Sequence, residues 1–222
     1  STWDTFSHVP GNIDKNDTGD IACDSYNKLE ADLYMLRALR VKSYRFSLSW
    51  SRIFPNGGKD SVNHVGVQYY NRLINGLVAS NIFPMVTLHH FDLPQALQDV
   101  GGWENDSVAE AFDSFADFCF QEFGDRVKFW MTFNQPHSIA TAGYGVGVIP
   151  PNVKDDPGSA PYRIGHKLLK AHARVYHTYD EKYRQSQGGV ISITLNTDWV
   201  EPKDPDEPRD VNAADRYLQF SF

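Results

Sequence analysis

Polar residues recur at set places along this chain: Arg45, then His89, His90 and Asp92, then Asn134 and Gln135, then Asn196 and Asp198. Arg45 stands on a short segment with strand character, and each later group at the C-terminal end of one. Arg45 on such a segment needs an anionic partner, because a buried unpaired charge is costly. No carboxylate at these strand ends is an evident mate for it, and the alternative is a carboxylate on a helix. His89 and His90 followed by Asp92 have the residue types of a metal site. Adjacent strand residues point to opposite faces, however, and no third ligand stands at metal-site spacing, so no metal is expected. A histidine at a strand end is better suited to hydrogen-bond a ligand hydroxyl. Asp92, before Leu93-Pro94, and Asp198, before Trp199, read as carboxylates that order loops. No Ser or Cys nucleophile has a motif behind it, and no Gly-rich turn with Lys-Ser/Thr is present to cradle a phosphate.

The elements that must position these groups follow from periodicity. Strand signals run from Tyr44 to Ser49, Pro84 to His90, Val127 to Asn134 and Gly189 to Asn196. Between them lie helical faces: Tyr26, Leu29, Leu33, Leu36 and Leu39; Val67, Tyr70, Leu73, Ile74 and Leu77; Val108, Phe112, Phe115 and Cys119; Ile164, Leu168, Ala171 and Val175. Amphipathic helices alternating with buried strands imply a parallel sheet. Within two strands the alternate positions differ in kind. Arg45, Ser47 and Ser49 oppose Tyr44, Phe46 and Leu48, and Ser192, Thr194 and Asn196 oppose Ile191, Ile193 and Leu195. A small polar face inside a helix-wrapped sheet fits the lumen of a (β/α)8 TIM barrel better than an open doubly wound sheet. Such a barrel takes eight strands and roughly 250 to more than 400 residues, so this α/β chain, with four strand signals, covers about half of one. Four strands leave two raw sheet edges, which folded proteins seldom leave uncovered.

Functional residues of parallel barrels gather at the C-terminal ends of the strands, where these polar groups fall. The aromatics Trp50, Phe91, Trp103, Tyr144 and Trp199 flank the same ends, most of them as packing. Phe91 and Tyr144 are candidates for an aromatic rim.

Composition narrows the partners. The chain has 222 residues, 41% hydrophobic, with 21 Lys+Arg against 28 Asp+Glu for a formal charge of -7. No basic cluster tracks a phosphate backbone, so nucleic acid is not an expected partner. No apolar run is long enough for a membrane span, and the first residues lack a signal-peptide pattern. No internal boundary, repeat or linker divides residues 1–222. Cys23 and Cys119 sit in helical patterns and read as buried free thiols. Asn16-Asp17-Thr18 and Asn105-Asp106-Ser107 are N-glycosylation sequons and point to an extracellular or membrane-anchored ectodomain, with a cytosolic location as the alternative. Ser107-Val108-Ala109-Glu110 is also a capping box, so the second sequon has a structural use.

Four motifs in order carry a resemblance. They are Tyr44-Arg45-Phe46-Ser47-Leu48-Ser49-Trp50-Ser51-Arg52-Ile53, Thr87-Leu88-His89-His90-Phe91-Asp92-Leu93-Pro94-Gln95, Gly101-Gly102-Trp103 and Thr132-Phe133-Asn134-Gln135-Pro136. Together they resemble glycoside hydrolase family 1, the β-glucosidase family. The texture of 20–26 and 171–177 is most similar to its animal lactase-phlorizin hydrolase and klotho branch. The resemblance implies strands 2 to 5 of the barrel and a site for a β-linked glucoside or galactoside, worked without a cofactor. It implies that His90 and Asn134 contact the sugar, Asn196 borders the site, and Arg45 orients a nucleophilic carboxylate. Gln135 occupies the acid/base position, a glutamate in the family.

Retaining hydrolysis needs two carboxyl groups about 5 to 5.5 Å apart. An amide at 135 cannot deliver a proton, and the nucleophile's strand is not in this sequence. The expectation is a β-glucosidase or lactase type of glycosidase, inactive or severely impaired as written, that needs the remaining half of the barrel from the same protein or a partner chain. The resemblance leaves two other readings: a klotho-like sugar- or protein-binding module, and a myrosinase-like thioglucosidase, since plant myrosinases also carry Gln at this place.

Overall fold

The computed structural model describes residues 1–221, with side chains through residue 219. Four strands, β1 (Ser43–Ser47), β2 (Phe83–His89), β3 (Phe129–Asn134) and β4 (Val190–Thr194), form one parallel sheet in chain order. Ser47 pairs with Thr87, His89 with Phe133, and Trp130 with Ile191. The register slips between Met131 and Asn134 where β3 faces β4. Among the described residues the outer edges of β1 and β4 have no strand partner.

Helices α1 (Leu29–Ala38), α2 (His64–Ala79), α3 (Asp106–Phe123), α4 (Ala160–Lys182) and α5 (Pro208–Ser221) alternate with the strands. α2 begins where the Asn63 side chain accepts the Val65 N–H at 3.2 Å, satisfying one donor left over at a helix start. Its buried stripe of Val67, Tyr70, Leu73, Ile74 and Leu77 is the one its period predicts. α3 buries Val108, Phe112, Phe115 and Cys119 completely, and α4 does the same with Ile164, Leu168, Ala171 and Val175. Val86, Leu88 and Trp130, also fully buried, face this helical layer. At α2 the turn Trp50–Ile53 approaches so closely that a Cβ on Gly66 would collide with the Arg52 carbonyl oxygen.

Three expectations need correction. α1 is shorter than the apolar run suggested: Leu29, Leu33 and Leu36 are buried, while Tyr26 and Leu39 are 40% and 66% exposed. Both lie outside the helix, so the 3.6-residue period does not govern them. Tyr26 instead packs on Tyr69, with the Arg52 guanidinium 4.7 Å from its ring centre. Cys23 is an exposed thiol for the same reason, whereas Cys119 is buried; neither is in a disulfide. Finally, α3 is capped by Asn105 rather than Ser107: the Asn105 amide oxygen accepts the Ser107 N–H at 3.0 Å.

Candidate active site

Side chains from three strands meet on the sheet face that the helices leave open. Arg45 of β1 donates from Nε to Thr87 Oγ1 of β2 at 3.1 Å and from Nη2 to Asn134 Oδ1 of β3 at 2.7 Å. The strand register explains the meeting, because Arg45 is two residues before Ser47, which pairs with Thr87, so both side chains project to one face. Thr87 is fully buried and Asn134 is 5% exposed, whereas Arg45 faces solvent. No ion pair of Arg45 is present among the described residues; two neutral oxygens hold the guanidinium. Since Nη2 can only donate, the Asn134 oxygen must face it, and the Asn134 NH2 is the end left for a ligand.

His90 follows β2 and faces solvent, with its ring edge-on to Phe91 at 5.2 Å. Partial desolvation, and then the Arg45 charge, hold its pKa below the ordinary value, so it is a neutral donor and acceptor near pH 7. Its backbone is fixed by Asp92, whose Oδ1 accepts the His90 N–H at 3.1 Å across the left-handed Phe91, φ +68°. Asp92 thus orders a loop, as expected of it. Burial pushes its carboxyl up to about 7, against the lowering effect of that hydrogen bond.

Gln135 adopts the left-handed region, φ +50° and ψ +67°, a conformation that costs a non-glycine residue about 1 kcal/mol. Its N–H donates to the Thr194 carbonyl of β4 at 2.8 Å, and Pro136 opens the turn Pro136–Ser138 behind it. Ser138 Oγ donates to Gln135 Oε1 at 3.4 Å. The backbone around 135 is therefore set by β4 and Pro136. What the side chain offers is an amide that accepts and donates hydrogen bonds without releasing a proton.

The remaining strand-end residues go elsewhere. His89 is 1% exposed, edge-on to Trp103 at 5.3 Å and Phe133 at 5.6 Å, and neither ring nitrogen has a partner among the described residues. Desolvation drives its pKa down to about 3. Tyr144, expected at an aromatic rim, is 1% exposed. Its hydroxyl accepts the Trp103 N–H at 3.0 Å and donates to Gln98 Oε1 at 3.1 Å, so it braces two loops from inside. Phe91 is half-buried and helps to line a small cavity with His89, Trp103 and Tyr144.

Asn196 is exposed, two residues beyond β4, and is not joined to the Arg45 group by any hydrogen bond. It lines a separate groove of about 610 Å3 with Pro136, His137, Tyr162, His166 and Leu169. That groove adjoins the open β4 side of the sheet, where Tyr162, Leu169 and Leu195 are 69%, 57% and 51% exposed.

One contributor went unnoticed in the sequence. Thr87 is the polar residue that Arg45 uses on β2, and its only signal was parity with His89 in a strand otherwise apolar.

Known proteins match the chain in family and in fold. The model of the family described as Glycosyl hydrolase family 1 matches residues 1–222. Human lactase/phlorizin hydrolase is 72% identical over 223 residues, covering 100% of this chain and 12% of that protein. Among solved structures, a rice beta-glucosidase superposes with a TM-score of 0.95 at 39% identity, covering 100% of this chain and 48% of its own. An aphid myrosinase superposes with the same TM-score at 41% identity, covering 99% and 47%. The chain thus spans about half the length of the structures it matches and a smaller part of the human relative.

Proposed function

The chain belongs to glycosyl hydrolase family 1 and folds as about half of a (β/α)8 barrel, and we propose that it supplies the proton-donor side of a β-glycoside site whose donor has been replaced by an amide. The observation that carries this reading is the placement of Gln135: it directly follows Asn134, which the Arg45 guanidinium orients, on the ligand-facing ends of β1 to β3. Asn134 and His90 hydrogen-bond hydroxyls of a β-linked glucose or galactose unit. Arg45 orients the nucleophilic carboxylate of the other half of the barrel. Asn196 borders the site from beyond β4, and Phe91 contributes an aromatic edge. Residues 1–222 act as one unit, and the raw edges of β1 and β4 take the missing strands, whether these come from the same protein or from a partner chain.

Positioned acid/base catalysis contributes about 10²–10⁴ in rate. Without a proton on Gln135, O-glycoside cleavage is slowed by a factor of that order, while binding is retained. The alternative reading is a module that binds a sugar or a protein without cleaving; a thioglucosidase, whose leaving group needs no protonation, comes third. The exposed sequon at Asn16 favours a secretory route over a cytosolic location.

The deciding experiment compares the complete protein with its Gln135→Glu variant on an aryl β-glucoside and on the matching thioglucoside. A gain of about 10²-fold or more on the oxygen glycoside supports the disabled-hydrolase reading. A folded variant with no gain favours the binding module. Thioglucoside turnover by the unaltered protein, without turnover of the oxygen analogue, favours the myrosinase-like reading.

A further inference from the structure

The sequons Asn16-Asp17-Thr18 and Asn105-Asp106-Ser107 share a pattern, but the fold treats them differently. We propose that Asn16 is an N-glycan attachment site and that Asn105 is not, because Asn105 is a helix cap whose amide is engaged at both ends. The proposal rests on the secretory placement above.

An N-linked glycan is bulky, so its amide nitrogen must meet solvent with open space around it. Asn16 closes the short turn Asp14–Asn16 at φ +55°, in the left-handed region that asparagine tolerates better than most residues. Its Oδ1 accepts the Gly11 N–H at 2.9 Å, which fixes the amide plane. Nδ2, the other end of that plane, makes no hydrogen bond among the described residues. Every residue from 14 to 23 is exposed, Thr18 of the sequon included. A Cβ built on Gly11 or on Gly19 would meet nothing within 4 Å, so both flanks are open.

Asn105 is only partly exposed. Its Oδ1 caps α3 through Ser107, and its Nδ2 donates to the Val100 carbonyl at 2.8 Å. Its neighbours are tied to α4: Lys167 bonds the Glu104 carbonyl and pairs with Asp106 at 3.2 Å, and Arg163 pairs with Glu104 at 3.1 Å. A sugar on this nitrogen would have to share the groove that Asn105 lines with Trp103, Lys167, Lys170 and Arg174.

In the attachment step, Asn16 Nδ2 forms a bond to the anomeric carbon of a polyprenyl-diphosphate-linked oligosaccharide. The carbon–oxygen bond to the diphosphate breaks, and the proton lost from Nδ2 leaves with the diphosphate. Nothing is oxidised or reduced.

The test is to pass the complete protein through a eukaryotic secretory pathway, remove glycans enzymatically in heavy-oxygen water, and read the peptides by mass spectrometry. The expected result is a labelled carboxylate at position 16 and none at position 105. Asn16→Gln and Thr18→Ala should each abolish the loss of mass on deglycosylation. Thr18→Ala leaves the Asn16 to Gly11 bond in place, so an unchanged melting temperature separates loss of the acceptor from loss of the fold. Asn105→Gln should leave the glycan whole and lower the melting temperature. An unlabelled Asn16 in secreted protein, or a label at 105 in folded protein, overturns the site assignment. Retention of the natural protein in the cytosol overturns the secretory placement instead.

Discussion

The Arg45 guanidinium donates to the Asn134 amide oxygen at 2.7 Å, linking β1 to β3 across the intervening strand. With the bond to Thr87 it ties three strands together on the face that the helices leave open. An arginine held by neutral oxygens alone keeps its charge uncompensated, which suits a residue meant to meet an anion from elsewhere.

Arg45→Ala should therefore act in two ways. Removing two hydrogen bonds to a charged group that faces solvent should lower stability by about 1 kcal/mol, read as a lower urea midpoint with an unchanged slope. In the complete protein it should also free the Asn134 amide to flip. A loss of glycoside affinity of about tenfold, corresponding to about 1.4 kcal/mol, is expected by calorimetry.

Asp92 and His89 should give opposed pH dependences. Burial raises Asp92 from 3.8 to about 7, so the folded state binds more protons than the unfolded one between those values, and stability falls as pH rises through that window. Burial lowers His89 from 6.5 to about 3, so the unfolded state binds more protons there and stability rises with pH. Each proton is worth about 1.4 kcal/mol per pH unit, and the two slopes oppose each other where the windows overlap. The N-terminal ammonium opposes the rise at Asp92 and Asp4 adds to it, while His90 adds to the fall at His89. Asp92→Asn should gain stability relative to the parent as pH rises across the Asp92 window. His89→Phe should lose relative stability as pH rises across its own. Parallel curves in urea titrations at several pH values would contradict both assignments.

Tyr144→Phe keeps the ring and removes a hydroxyl that serves Trp103 and Gln98. The Trp103 N–H is then left buried without its acceptor, a loss of about 2 kcal/mol. The measurement is a denaturant titration, with Trp103 fluorescence as a local readout.

Gly66→Ala should cost about 3 kcal/mol, because the new methyl would press on the Arg52 backbone rather than on a side chain that can move. An Ala with near-parent stability would show that the Trp50–Ile53 turn shifts easily away from α2.

Where the sequence was legible, a period carried the information. The apolar stripes of α2, α3 and α4 came out at the residues their spacing specifies, and the alternation in β1 put Arg45 on the correct face. Legibility failed at chain segments that no period governs. Tyr26, Leu39 and Cys23 lie outside α1, so continuing its spacing through them misplaced all three. At α3 the two residues flanking Asp106, Asn105 and Ser107, are both competent caps, and only the backbone geometry decides for Asn105. Tyr144 was misjudged because a tyrosine near a strand end can face either way, and the Trp103 N–H that draws it inward comes from 41 residues before it. The left-handed Gln135 was equally silent, since its cause is the Thr194 carbonyl on another strand.

The bend at 135 is imposed by a backbone bond to β4 and by the proline that follows, not by the terminal atoms of the side chain. Glutamate and glutamine share that stem, so exchanging NH2 for a hydroxyl there leaves the architecture nearly indifferent. A Gln135→Glu comparison therefore reads chemistry at the side-chain tip and leaves the surrounding backbone out of the difference.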